Sequence, residues 1–138
     1  NISSSGLAAQ RVRMNVLSSN LANANTTRTP EGGPYKREDV VFSATNVSDF
    51  ENLLDEDWGT ELKKVQVVDI HKDTKAPRMV LDPSHPDANA EGYVAMPNIQ
   101  TMTEMVNMIA ATRAFEANTT ALNSAKSMAN TAIEIGRV

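Results

Sequence analysis

Residues 99–135 read IQTMTEMVNMIAATRAFEANTTALNSAKSMANTAIEI, and neither proline nor glycine interrupts them before Gly136. Such a run predicts one continuous helix over 99–135, with Gly136 as its stop. At 1.5 Å per residue that helix is about 54 Å long. A compact globule of this chain's 138 residues has a radius of gyration of about 14 Å, hence a diameter of about 37 Å. The helix outruns the globule, so it must protrude, break or pack against other molecules.

Two stripes run along it. One is Met105, Met108, Thr112, Phe115, Thr119, Leu122, Ala129 and Ile133; the other is Ala110, Ala114, Ala117, Ala121, Ala125, Met128, Ala132 and Ile135. The second is mostly alanine and lets another helix axis come close. The methionines read equally as core filler and as an adaptable contact surface.

A second helix is expected near the start, over roughly 4–25. Leu7, Gln10, Met14, Leu17, Leu21 and Ala24 recur at three-four spacing as a narrow seam that Gln10 interrupts, with Val12 and Val16 off it. Ser3, Ser4 or Ser5 is placed to cap it. It dissolves into SSNLANANTT at 18–27, where Asn20, Asn23 and Asn25 replace a single clean stop. Asparagine offers donors and acceptors together, and Asn25 is a candidate for a left-handed helix end.

Between the helices the chain reads as β structure and loops. Pro30, Gly32, Gly33 and Pro34 exclude a regular element. Strands are expected over Lys36–Ser43, Leu62–His71, Arg78–Asp82 and Gly92–Met96, the third bounded by Pro77 and Pro83 and the last stopped by Pro97. Residues 44–61 read as an acidic surface loop with a helical turn near 50–54, since Asp49, Glu51, Asp55, Glu56, Asp57 and Glu61 occur there without a base.

The totals narrow the function. Net charge is −4, so there is no global basic footprint for nucleic acid. Aromatics are 4%, thin for a deep substrate pocket or a base-stacking platform. The chain has no cysteine, which excludes disulfides and thiolate metal sites. No apolar run approaches the roughly 20 residues of a membrane helix, and no cleavable signal peptide is visible. No nucleophile-elbow, phosphate-loop or zinc-protease motif is present. Asp82, His85 and Asp87 are the one cluster that a metal enzyme could use, but they sit in DPSHPDANAEG, where turn chemistry explains them. The Asn-x-Ser/Thr triplets at Asn25, Asn46 and Asn118 are of a kind common by chance. No cofactor and no small-molecule substrate are expected.

Taken together, the two ends resemble the flagellar axial proteins, the family of rod, hook and hook-associated subunits. LAAQRVRMNVLSSNLANANTT at 7–27 is similar to that family's first signature, a helix closing on an Asn-Leu-Ala-Asn motif, here Ser19 to Thr26. EMVNMIAATRAFEAN at 104–118 resembles the second, in which Arg113, Phe115, Glu116, Ala117 and Asn118 recur together. GGPYKREDVVF and DPSHPDANAEGYVAMPN resemble the proximal rod branch, as does Thr26-Thr27-Arg28-Thr29-Pro30 where hook and distal rod relatives carry Asn-Thr-Thr-Gly and an aromatic residue.

The resemblance implies a structural subunit, not an enzyme. It would be exported unfolded by the flagellar type III apparatus without a cleaved signal, and would assemble helically in the periplasm with itself and other rod proteins. The expected fold is α+β, mainly α. Long antiparallel N- and C-terminal helices form a coiled-coil-like axial domain, over 1–26 and 98–138, with a small β-rich middle region over 27–97. Subunit contacts are expected from Leu7, Met14, Leu17, Asn20, Leu21, Asn23 and Asn25 on the first helix. On the second they are expected from Met105, Met108, Ile109, Arg113, Phe115, Glu116, Asn118, Leu122, Met128 and Ile133. The asparagines would be lateral hydrogen-bonders that fix register in a packed wall. Residues 49–61 would face outward. The alternative is a soluble coiled-coil interaction module.

Overall fold

The computed structural model describes residues 2–46 and 63–136; the acidic stretch and the helical turn expected within it lie outside the described residues. The element order is α1 (Ile2–Ala22), β1 (Glu38–Asn46), β2 (Lys63–Lys72), β3 (Arg78–Leu81), β4 (Tyr93–Met96) and α2 (Thr101–Ile135). The fold is α+β, mainly α: two long terminal helices pack together beside small antiparallel β units.

α1 is the centre of the arrangement. It packs against α2 on one side and against the antiparallel β1–β2 pair on another, whereas α2 touches no other regular element among those described. Val16, expected off the seam, is therefore buried with Ala9 and Leu17, because a helix covered from two directions needs a broader apolar surface than a coiled-coil stripe. Ser5 does not cap α1 in the expected manner; its hydroxyl donates to the carbonyl of Ile2 at 2.7 Å.

Helix pairing is antiparallel. A Cβ built on Gly6 would meet the Asn118 amide at 3.2 Å. Thr112 Oγ1 lies 3.7 Å from Met14 Sδ, and Asn20 Nδ2 donates to Glu104 Oε2 at 3.1 Å. Partners move down α2 as they move up α1, so α2 beyond about residue 122 has run past the start of α1. Every residue from 120 to 135 is exposed. This overhang is about 20 Å long at the helical rise.

β1 and β2 pair from Glu38↔Lys72 to Asn46↔Lys63, with a bulge between Val41 and Phe42. Val40 pairs with Ile70 and Phe42 with Val67, so one extra residue, Val68, is accommodated on β2. Cross-strand partners share a face and β1 keeps period two. Val67 and Ile70, an odd number of residues apart, are thereby brought to the same face. β1 runs through Ala44 to Asn46, so the loop expected from 44 starts later.

β3 pairs with β4 from Arg78↔Met96 to Leu81↔Tyr93, and Val94 is fully buried. The loop between them is tied by side chains. Asp82 Oδ1 accepts from Ser84 N and Oγ at 3.1 and 2.6 Å. Asn89 Oδ1 accepts from Glu91 N and Tyr93 N at 3.0 and 2.8 Å. Positive φ among the described residues is confined to Gly32, Gly33 and Gly92, so Asn25 is not a left-handed helix end, and Gly136 stops α2 at φ −77° in the right-handed region.

Total accessible surface is 10279 Å². A compact monomer of 15.0 kDa exposes about 7,000 Å². Part of the excess is α2 beyond residue 120, which is exposed throughout the residues described there.

Candidate assembly surface

The end of α1 is organised by one asparagine. Asn20 is fully buried. Its Nδ2 donates to the Glu38 carbonyl at 2.8 Å and to Glu104 Oε2 at 3.1 Å. Its Oδ1 accepts from the Glu38 N–H at 2.9 Å and from the Tyr35 hydroxyl at 3.2 Å. Both donors and both lone pairs of the amide are used. The side chain thus pairs with the backbone of Glu38 as a neighbouring strand would, and it sets where β1 begins. With its single proton given to Asn20, Tyr35 is the acceptor in its 3.2 Å contact with Ser19 Oγ.

Glu104, 2% exposed, is the other half of this node. Its Oε1 accepts from Arg37 Nε at 2.8 Å, and Arg37 also reaches Asp39 at 3.2 Å. Burial alone would lower the Arg37 pKa, but the bonds to Glu104 and Asp39 outweigh it and hold the guanidinium above its ordinary value. Position helps as well: a carboxylate in the first turn of α2 complements the helix dipole. One node therefore joins α1, the entry to β1 and the start of α2.

The asparagines thus separate. Asn20, expected to bond laterally to other subunits, spends its amide within the chain. Half-buried Asn23 donates to the Ser19 carbonyl at 3.0 Å and accepts from Thr26 Oγ1 at 3.1 Å, closing the end of the helix. Asn25 is exposed.

The other expected contact residues fall into two groups. Leu17 is buried, and Leu7, Met14, Leu21, Met108, Phe115 and Asn118 are half-buried. Met105, Ile109, Arg113, Glu116, Leu122, Met128 and Ile133 are exposed. Leu21, Met105, Met108, Ile109, Thr112, Arg113 and Glu116 line a groove of about 420 Å³ where α2 passes the end of α1. The expected contact residues did not include Met102, Val106 and Ile135, which are 73, 61 and 72% exposed, although Ile135 belongs to the alanine-rich stripe, and they did not include Arg37, Tyr35 or Glu104. A signal for Glu104 was available: it is the one charged residue between Pro97 and Arg113.

The open face of α2 is more apolar than its composition. Thr112, Thr119, Thr120 and Thr131 each donate their hydroxyl to the carbonyl four residues back, at 2.9–3.1 Å. Their polarity is satisfied within the helix.

Asp82, His85 and Asp87 are each engaged in a hydrogen bond within the chain. Asp82 holds Ser84, His85 Nδ1 accepts from the Asp87 N–H at 3.1 Å, and Asp87 accepts from Thr27 Oγ1 at 2.8 Å. Hydrogen bonding to Ser84 lowers the Asp82 pKa below the usual carboxylate range. Among the described residues no group of three or more His, Asp or Glu side chains is arranged to hold a metal, and no helix is long and apolar enough to cross a membrane.

Comparison with known proteins gives this surface a context. Residues 1–28 match the family model described as flagella basal body rod protein, and residues 90–135 match flagellar basal body rod FlgEFG protein C-terminal. The chain is 44% identical to the flagellar basal-body rod protein FlgC of Bacillus subtilis, over 99% of this chain and 95% of the relative. It is 41% identical to that of Borreliella burgdorferi, over 98% and 93%, and 38% identical to that of Salmonella typhimurium, over 99% and 94%. Identity at this level over nearly the whole length shows that the chain belongs to the FlgC family of flagellar basal-body rod proteins, which are structural subunits of the rod.

Proposed function

We propose that this chain is a proximal subunit of the rod, exported unfolded through the flagellar type III apparatus and assembled helically in the periplasm with itself and other rod proteins. There it forms part of the shaft that carries motor torque to the hook. The observation that carries this reading is the overhang of α2, whose Met128 and Ile135 are 68 and 72% exposed. A stable monomer does not ordinarily leave so much contiguous apolar helix in water. Leu122, Met128 and Ile133 then meet other subunits, together with the exposed part of the groove at Met105, Ile109, Arg113 and Glu116. The buried node has a different task, which is to hold the helix pair and the β1–β2 pair in one geometry.

The test is complementation of a strain that lacks the corresponding rod gene. Met128→Lys and Ile135→Lys should leave expression and export intact while abolishing motility and rod recovery from isolated basal bodies. Full motility in both variants would remove the overhang from the assembly surface.

A further inference from the structure

A sheet of two strands has no interior strand, so β1 and β2 are both edges. An edge with open N–H groups is a template for a strand from another molecule. Composition adds to the hazard. Val40, Val41 and Phe42 on β1 and Val65, Val67, Val68 and Ile70 on β2 are of the types that pair most readily as strands. Val41, Val65, Val68 and Ile70 are exposed.

The register shows which N–H groups point outward. Asp73 N donates to the Arg37 carbonyl at 2.7 Å, just beyond the Glu38↔Lys72 pair. Alternation along an antiparallel ladder then makes Glu38↔Lys72 and Val40↔Ile70 pairs whose own N–H groups face away from the partner strand. Side chains take these outward groups on both edges. On β1, Asn20 Oδ1 accepts from the Glu38 N–H at 2.9 Å and Asp39 Oδ1 from the Val40 N–H at 3.0 Å. On β2, Asp69 Oδ1 accepts from the Ile70 N–H at 2.8 Å and Ser5 Oγ from the Val65 N–H at 3.3 Å. The two aspartates thus serve opposite edges of one cross-strand pair, Val40↔Ile70. Arg37 holds Asp39 Oδ2 at 3.2 Å, which leaves Oδ1 for Val40.

We infer that Asp39 and Asp69 close the two edges of the β1–β2 hairpin against strand addition by a second copy of this chain. A carboxylate is a stronger acceptor than the peptide carbonyl of an incoming strand. It also stands where that carbonyl would have to go, and the two oxygens repel. An added strand uses the outward N–H of every second residue, so one occupied position splits the edge. Asn20 and Ser5 shorten the open stretches further, and the bulge at Val68 breaks the alternation of β2. This closure operates whatever surface α2 meets.

The test compares full-length Asp39→Ala/Asp69→Ala with the unaltered chain and with Glu91→Ala/Glu134→Ala, which loses the same charge at exposed positions away from the hairpin. All three carry Met128→Lys and Ile135→Lys, so that the α2 overhang does not contribute. Sedimentation against concentration reads association, and the low-frequency amide I infrared band reads β pairing between molecules. The hairpin variant should associate at concentrations about tenfold below those of both controls, with the intermolecular β band present and circular dichroism unchanged in dilute solution. Asp39 also bonds Arg37, so Asp69→Ala alone is the second variant; it leaves that bond in place and should shift association about threefold. Aspartate variants that stay monomeric alongside the controls would overturn the proposal. So would association no stronger than that of the Glu91→Ala/Glu134→Ala chain, or association without the intermolecular β band.

Discussion

Asn20 Nδ2 and Glu104 Oε2 meet at 3.1 Å across 84 positions of sequence, in a site from which water is excluded. The amide that makes this bond also grips both backbone groups of Glu38. Three elements are thereby fixed by one short side chain. Replacing Asn20 with Leu leaves the Glu38 peptide, Tyr35 and Glu104 without a shared partner. A loss of about 2–4 kcal/mol in urea-unfolding stability is expected. Asn23→Ala, which removes two bonds at a half-buried site, should cost about 1 kcal/mol.

Arg37 and Glu104 form a pair that is worth less than its disruption. Arg37→Met strands a carboxylate that is 2% exposed and should cost about 3 kcal/mol. Glu104→Gln keeps the shape and the bond to Asn20 but leaves a partly exposed guanidinium, so it should cost less, about 1–2 kcal/mol. In the double variant the losses should not add, which a double-mutant cycle by chemical denaturation measures.

Gly92 holds φ +82°, and a Cβ there would meet Pro83 Cγ at 3.1 Å. Gly92→Ala combines a disfavoured backbone with a tight contact against a rigid ring. It should destabilise the β3–β4 unit by about 1–2 kcal/mol, read as faster hydrogen exchange at Val94 and its neighbours with α1 little changed.

Asp82 supplies the pH dependence of its loop. Folding lowers its pKa, so the contribution of the Ser84 bonds is complete above the ordinary carboxylate range and is lost as pH falls through the lower, folded value. Ser84→Ala should raise the Asp82 pKa toward its ordinary value in an NMR titration. An unchanged titration would mean that Ser84 is not the cause.

Much of this architecture was legible in the sequence because the signals were local. An uninterrupted run to Ile135 gave α2, and the prolines at 77, 83 and 97 bounded the short strands. The narrow seam of α1 misled because Val16 answers to a second covering layer that no periodicity announces. The Val67-Val68 doublet broke the alternation of β2, and a bulge was needed to restore it. The asparagines were read as a set because they share a motif. Burial divides them, and burial depends on Glu38 and Glu104, which are distant in sequence. The polar node was invisible for the same reason: an Arg, a Tyr and a Glu in three separate segments carry no spacing that marks them as partners.

The central claim is that α2 is held by α1 over its first half and waits for another subunit over its second. Hydrogen exchange on the dilute, purified chain, resolved by segment, tests it most directly. The account predicts protection of α1 and of residues 101–118, with fast exchange over 123–135 that slows once the chain is incorporated into a rod. Protection of 123–135 equal to that of 101–118 in the dilute monomer would contradict it.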